Sequence, residues 1–291
     1  PRRERDALPS DEDNERQAAA ALCLCAEASR IDARHRGRPL RASNTFSAAD
    51  SALGYLYQVR VALLWSLRRA KTGADFIVSL ETLDDVTFES KGGTPEELLQ
   101  TKHHRNHEAS LSNASGDLWK SLRVWFEGHA NGQIPAGTAL YLLTTGEAPK
   151  DSAASLLRSE GRDVGKALPV LESVAQSSES QANAPAYAAF LAASATARRT
   201  ILDSVVVLDR APGVLTIDDD LKNEVFWTAE HKHLDAFLKR LEGWWLRRVI
   251  KQLSSSPQAV GILSAELEAE MSELREQFKQ DNLPIDEDLV S

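Results

Sequence analysis

Residues 75–104 read DFIVSLETLDDVTFESKGGTPEELLQTKHH, and this stretch predicts three short strands in succession. The strand-like runs are 76–81, 85–89 and 98–102. A short polar segment joins the first two runs, and a segment with two glycines and a proline joins the last two. Short connections that contain Gly and Pro favour an antiparallel meander. The stretch therefore predicts a small sheet around which the rest of the chain is organised.

Acidic, amide and lysine side chains fall at one edge of this predicted sheet. Because side chains alternate along a strand, Gln100 and Lys102 share one face of the third run. Asp85 opens the second run, Glu81 closes the first, and Asp84 lies in the turn between them. The pattern brings an acid, an amide and a lysine together, although an ordinary cross-strand ion pair would use the same residues.

This group of residues resembles the PD-(D/E)XK nuclease superfamily in its Q-x-K variant. In that family an acid near the start of one strand, and an acid-x-lysine on the next, hold a divalent metal and a water. Here Asp85 matches the first acid. Gln100 and Lys102 match the second motif, with glutamine in the place of the acid.

The surrounding sequence narrows the resemblance. The segments GYLYQ at 54–58, ETLDD at 81–85 and LQTK at 99–102 are similar to the nuclease domain of bacterial CBASS-type anti-phage effectors. The best known of these effectors carry that domain before a SAVED nucleotide-sensor domain. Related copies occur in three-component conflict systems that include an ABC ATPase. In the present chain no SAVED-like sensor is recognisable in the second half.

The resemblance implies an α/β fold with a restriction-endonuclease-like αβββαβ core. We expect this core over residues 44–150 and a mainly α-helical region over 151–291. Residues 1–43 are rich in Arg, Asp and Glu and are expected to form a flexible extension. The helical region would serve contacts with a partner or between copies.

The resemblance also implies a Mg²⁺- or Mn²⁺-dependent DNA endonuclease that acts on double-stranded DNA in anti-phage defence. Asp85, Gln100 and Glu81 are the expected metal ligands, with Asp84 less favoured because of its place in the turn. Lys102 would orient the water or stabilise the charge that develops on phosphate. The expected partners, besides DNA, are further copies of the chain or an ATPase or sensor subunit.

Five more residues are candidates for DNA contacts: Gln58, His103, His104, Lys120 and Arg123. Each also has a plainer interpretation, as a surface amide or a solvated basic side chain. The histidines that follow the lysine do not have the spacing of a zinc motif. We therefore interpret them as polar residues beside the site.

Hydrophobic periodicity predicts the elements on either side of the meander. A helix is expected from about residue 50 to 69, with Gly54 allowing close packing, and another over 115–127. The apolar run at 138–145 reads as a buried strand parallel to a neighbour. In the second half we expect a short strand at 205–208 and long helices at 231–253 and 261–280.

Composition limits the class of protein. Charged residues make up 26% and hydrophobic residues 42% of the 291 residues, as in ordinary soluble domains. The two cysteines, Cys23 and Cys25, exclude a disulfide framework or a four-cysteine zinc site. No secretory signal or membrane-spanning run is recognisable, so we expect a cytoplasmic protein. The net charge of −9 argues against a protein that coats nucleic acid but allows a local basic cleft.

Two other classes of function stay open on the sequence. The glutamine at position 100 is compatible with a nuclease-like domain that has lost activity and binds DNA or protein instead. Alternatively, residues 217–280 are a helical adaptor for a partner ATPase or sensor.

Overall fold

A mixed six-stranded sheet forms the centre of the fold, in the order β5-β4-β3-β2-β1-β6. The structure, a computed structural model, describes residues 48–104, 109–255 and 261–279. The strands are β1 (Ile77–Leu80), β2 (Val86–Glu89), β3 (Pro95–Lys102), β4 (Ala139–Thr144), β5 (Val205–Leu208) and β6 (Ile262–Leu263).

Strand pairing confirms the α/β class and the predicted meander. Strands β1, β2 and β3 are antiparallel neighbours. Strand β4 runs parallel to β3, as predicted for the apolar run, and β5 runs parallel to β4. Strand β6 pairs antiparallel with β1 at the other edge.

Helices cover both faces of this sheet. They are α1 (Ala48–Ala70), α2 (Gly116–Ala130), α3 (Ala153–Leu156), α4 (Val164–Ser177), α5 (Ala184–Ala192), α6 (Ala195–Ser204), α7 (Ile217–Val225), α8 (Leu234–Ser254) and α9 (Ser264–Gln277). A 3-10 turn, His231–His233, precedes α8. From α1 to β4 the order is therefore helix, three antiparallel strands, helix and parallel strand.

Two hydrophobic clusters lie on opposite faces of the sheet. Because side chains alternate along a strand, Leu99 and Leu143 join the cluster with α1, α7, α8 and α9. Leu98 and Leu142 instead join the cluster with α2 to α6. The result is a three-layer arrangement in which helices bury both faces of the sheet.

The predicted domain boundary at residue 150 lies between β4 and β5 in the chain, and both strands belong to the same sheet. Strands β5 and β6 both come from the C-terminal side of it and pair with β4 and β1. The first cluster likewise takes buried residues from α1 and from the three last helices. The predicted extension, residues 1–43, lies outside the described residues.

Helices of the described ranges lack the combination of length and apolarity that crossing a membrane requires.

The space around Gly54 differs from that around Gly146. The prediction that Gly54 allows close packing was wrong. A Cβ on Gly54 would meet no described atom within 4 Å, so this position does not serve close packing. A Cβ on Gly146 would lie 2.5 Å from the main-chain oxygen of Ala109.

The same substitution should therefore have opposite effects at the two sites. We expect Gly54→Ala to raise the free energy of unfolding by about 0.5–1 kcal/mol, because alanine loses less backbone entropy in a helix. Gly146→Ala should lower it by about 1–3 kcal/mol, because a main-chain oxygen cannot rotate away from the added methyl. Urea denaturation measures both, and effects of equal sign would contradict the packing described.

Candidate functional site

The predicted acid, amide and lysine meet where β3 ends. Register places them there: Val86 of β2 pairs with Leu99 of β3, so Asp85 lies beside Gln100. The side chains of Asp85 and Lys102 are 23% and 19% exposed, at the border between core and solvent. The cluster is therefore accessible to solvent at one end and anchored in the protein at the other.

Four groups, from Thr101, Lys102 and Gln58, hold Asp85. Its Oδ2 accepts hydrogen bonds from the main-chain N–H of Thr101 at 2.7 Å and from the Thr101 hydroxyl at 3.0 Å. The Nζ of Lys102 lies 3.9 Å from the same oxygen. Gln58 of α1 is buried and donates from Nε2 to the main-chain carbonyl of Asp85. Among the described residues, Oδ1 has only a long contact, 3.5 Å from Gln100 Nε2.

Gln100 links Lys102 to the protein interior. The Nζ of Lys102 donates to Gln100 Oε1 at 2.7 Å. On the other side, Gln100 Nε2 donates to Oδ1 of Asp84. The amide therefore has a defined orientation, with its oxygen toward the lysine and its NH₂ group toward the buried acid.

Asp84 is the buried member of the acidic pair and the residue that sequence reasoning undervalued. Its carboxylate also accepts from Trp125 Nε1 at 2.7 Å and from the main-chain N–H of Asp85 at 2.8 Å. Burial raises the pKa of Asp84 to about 6, although the hydrogen bonds from Gln100 and Trp125 act in the opposite direction. Because an ionised carboxylate only accepts hydrogen bonds, Asp84 fixes which end of the Gln100 amide faces Lys102.

Three side chains in a stripe along one side of α2 contact the residues of the site or their neighbours. Asp117, Ser121 and Trp125 are four residues apart and so lie on one side of the helix. Ser121 Oγ lies 3.4 Å from Gln100 Oε1, and Trp125 reaches Asp84 as described above. Sequence analysis predicted this helix but assigned none of the three residues to the site. The four-residue spacing of a carboxylate, a hydroxyl and an indole N–H is the sequence signal from which this polar stripe could have been predicted.

Asp117, at the N-terminal end of this stripe, pairs with His104. His104 Nε2 lies 2.7 Å from Asp117 Oδ2, and the hydrogen bond raises the pKa of the imidazole against the effects of burial and of Lys102. Burial raises the pKa of Asp117, but His104, Lys102 and Lys120 outweigh it, so the pKa stays below its usual value. The main-chain N–H of His104 donates to Thr145 Oγ1 at 2.8 Å, which fixes the backbone after β3.

Four other predicted site residues lie around the cluster. Glu81 is exposed in the turn at a φ of 54°, and its main-chain N–H donates to the Asp85 carbonyl. The ring of His103 packs on Tyr57, and its Nε2 accepts from the main-chain N–H of Val214. Lys120 and Arg123 are exposed on α2, and Arg123 pairs with Glu127 at 3.6 Å. The structure thus brings Asp85, Gln100 and Lys102 together, whereas the Glu81 carboxylate takes no part in their side-chain hydrogen bonds among the described residues.

A separate cavity of about 400 Å³ lies on the α1 side of the sheet. Tyr57, Trp65 and Leu143 line it, together with the segment that follows β5. The acid, amide and lysine described above are not among its lining residues. The candidate site is therefore distinct from this cavity.

The donor atoms set which metal the site can hold. In residues 48–104, 109–255 and 261–279, no three His, Cys, Asp or Glu side chains form a metal-binding group. Asp85 Oδ1 and Gln100 Oε1 are hard oxygen donors, one charged and one neutral. Mg²⁺ keeps several waters and takes one or two protein carboxylates plus substrate phosphates, so such a small oxygen set fits it.

No protein-family model matches the chain, and no curated protein matches it either.

Proposed function

We propose that the chain is a metal-dependent DNA endonuclease, an effector of bacterial anti-phage defence that acts in the cytoplasm. The observation that supports this most is the meeting of Asp85, Gln100 and Lys102 at the end of β3. The proposal includes the restriction-endonuclease-like assignment of the α1-to-β4 order. The substrate would be double-stranded DNA, bound across the solvent-facing end of the cluster.

In this proposal Asp85 and Gln100 would hold Mg²⁺ or Mn²⁺. When bound, the metal supplies charge stabilisation at the phosphate and a water of lowered pKa. Lys102 contributes a positive charge beside both ligands, where negative charge develops on the phosphate. Gln58 and Thr101 hold Asp85 in place, so the acid needs little reorganisation when substrate binds. Glu81 would join the site only through a change in its exposed turn.

Lys120 is exposed near the cluster, where its charge acts on Asp117, and it suits a DNA backbone despite the net charge of −9. Arg123 is also exposed on α2, on the side away from Ser121. Such residues would position the duplex through its phosphates without reading its sequence. Further copies of the chain, or an ATPase or sensor subunit, complete the proposal as partners that control cutting.

The test is cleavage of supercoiled plasmid in Mg²⁺ or Mn²⁺, with EDTA as the blank. We expect Asp85→Ala and Lys102→Ala each to lower the rate by about 10²–10³-fold, as expected when a charge-stabilising group is lost. Lys91→Ala is the matched control, because Lys91 is an exposed lysine that pairs with Asp75 in the same meander. Cutting that survives both site variants would contradict the assignment.

One observation favours the second candidate, a nuclease-like domain that binds DNA or protein without cutting. The Lys102 ammonium and the Gln100 amide satisfy each other at 2.7 Å, and the amide NH₂ group is satisfied by Asp84. Such a network is complete with protein groups alone. Tight duplex binding by a wild-type chain that cuts no plasmid, with or without partner proteins, would favour this function.

A further inference from the structure

His104 and Asp117 form a hydrogen-bonded pair beside the candidate site, and neither of them is a proposed metal ligand. Asp117 lies in the first turn of α2, one turn from Ser121, which contacts Gln100. His104 follows Lys102 by two residues, and the charge of Lys102 acts on both members of the pair. The pair therefore borders the cluster on the side of the helix N-terminus.

Both the ring and the main chain of His104 are fixed. Nε2 is engaged with Asp117, and Thr145 Oγ1 both accepts from the His104 N–H and donates to its carbonyl. The side chain is nevertheless 34% exposed, more than the lysine beside it. Nδ1 has no hydrogen bond with any of the described residues. A histidine held at one nitrogen by a carboxylate, and open at the other, is arranged to transfer a proton at the open nitrogen.

We propose that His104, held by Asp117, is the general acid that protonates the oxygen leaving phosphorus. This inference rests on the proposed nuclease function. In the step, the oxygen of a water forms a bond to phosphorus while the bond from phosphorus to the leaving oxygen breaks. The electron pair of that bond stays on the leaving oxygen, which takes the proton from Nδ1. The proton lost by the water passes to bulk solvent, and solvent reprotonates His104.

The electrostatics of the pair agree with this role. The hydrogen bond that His104 donates to Asp117 raises the pKa of His104, so the imidazole carries its proton over a wider range of pH. Asp117 is a positioning residue that keeps Nε2 engaged, which leaves Nδ1 as the nitrogen for proton transfer. Lys102 has a different task, since it acts on the charge of the phosphate and not on the leaving oxygen.

The experiment compares two leaving groups. The cleavage position is first mapped on a natural duplex, and a second duplex then carries sulfur in place of the leaving oxygen at that position. A thiolate leaves without a proton, so it needs no general acid. We expect His104→Gln, whose amide can still donate to Asp117, to slow cleavage of the oxygen duplex by about 10²-fold or more. The same variant should cut the sulfur duplex at close to the wild-type rate.

Controls separate this role from a structural one. His129→Gln, in the last turn of the same helix, should leave both rates unchanged, whereas Lys102→Ala should slow both. Asp117→Asn repeats the test if His104→Gln lowers the unfolding temperature, and it should show a smaller loss with the same preference for the sulfur duplex. Equal losses on both duplexes, or no loss on either, would overturn the role of His104. A wild type that cuts neither duplex would overturn the nuclease proposal itself.

Discussion

Gln100→Glu is expected to inactivate the protein and to destabilise it, although it creates the acid-x-lysine motif that is usual in PD-(D/E)XK nucleases. The reason is Asp84. Its buried carboxylate accepts a hydrogen bond from the Gln100 NH₂ group, and a glutamate at position 100 would bring a second acceptor to that place. A buried acceptor that loses its hydrogen-bond donor costs about 1–3 kcal/mol. We therefore expect a loss of free energy of unfolding of that size.

Adding Asp84→Asn should restore part of the stability that Gln100→Glu removes. In the double variant Asp84→Asn, Gln100→Glu, the amide at position 84 can donate to the new carboxylate, but its NH₂ group then cannot accept from the Asp85 N–H, which shares Oδ1 with Gln100. Unfolding measured by denaturant in EDTA reports the stability, and plasmid cleavage reports the activity. We expect the double variant to be about 1 kcal/mol more stable than Gln100→Glu alone, because it removes the like-charge contact and re-forms one buried hydrogen bond while losing another.

The outcome that would contradict this network is a stable and more active Gln100→Glu single variant. Trp125→Phe provides an independent check, because it removes another donor to Asp84 without changing any charge. It should destabilise the fold by about 1–3 kcal/mol, the cost of leaving a buried acceptor short of one partner.

A chain that ends at residue 150 is expected not to fold. Such a chain loses β5, which pairs with β4, and β6, which pairs with β1, so it exposes both edges of the remaining sheet. It also loses the helices that bury much of α1. Phe237 and Trp245 of α8 are within 1% of full burial in the cluster that α1 shares, and Trp245 Nε1 donates to the Val59 carbonyl at 2.9 Å.

Circular dichroism and soluble yield measure this prediction. The truncated chain should be insoluble or should lack a cooperative unfolding transition, whereas a chain that ends after residue 279 should keep both. The hypothesis that residues 217–280 are a separable adaptor gives the opposite expectation. A folded chain of residues 48–150 with metal-dependent cutting would support the adaptor and contradict the shared core.

Local sequence patterns were sufficient to predict the meander and to place two residues of the site, Gln100 and Lys102, on one face of a strand. Glycine and proline positions set the turns, and alternation along β3 placed Gln100 and Lys102 on one face. Strand β4 was recognisable because a strand buried on both faces is apolar throughout. These features depend on residues that are close together in the sequence.

The buried role of Asp84 was not accessible to such reasoning. It depends on an indole N–H that comes from Trp125 on another element. This contact leaves no trace in the local alternation of polar and apolar residues. Pairing of β6 with β1 is hidden for the same reason, because a two-residue strand has no periodicity of its own.

The stripe on α2 also makes the rotation of one helix a condition for the geometry of the candidate site. Each residue along an α-helix turns its side chain by about 100°. A shift of α2 by a single residue position would therefore withdraw Asp117, Ser121 and Trp125 from His104, Gln100 and Asp84 at the same time. The opposite side of α2 packs Trp119 against Tyr187 and Phe190 of α5. An event that displaced α5 would thus reach all three contacts through one rigid body, and the site would be lost as a unit and not in stages.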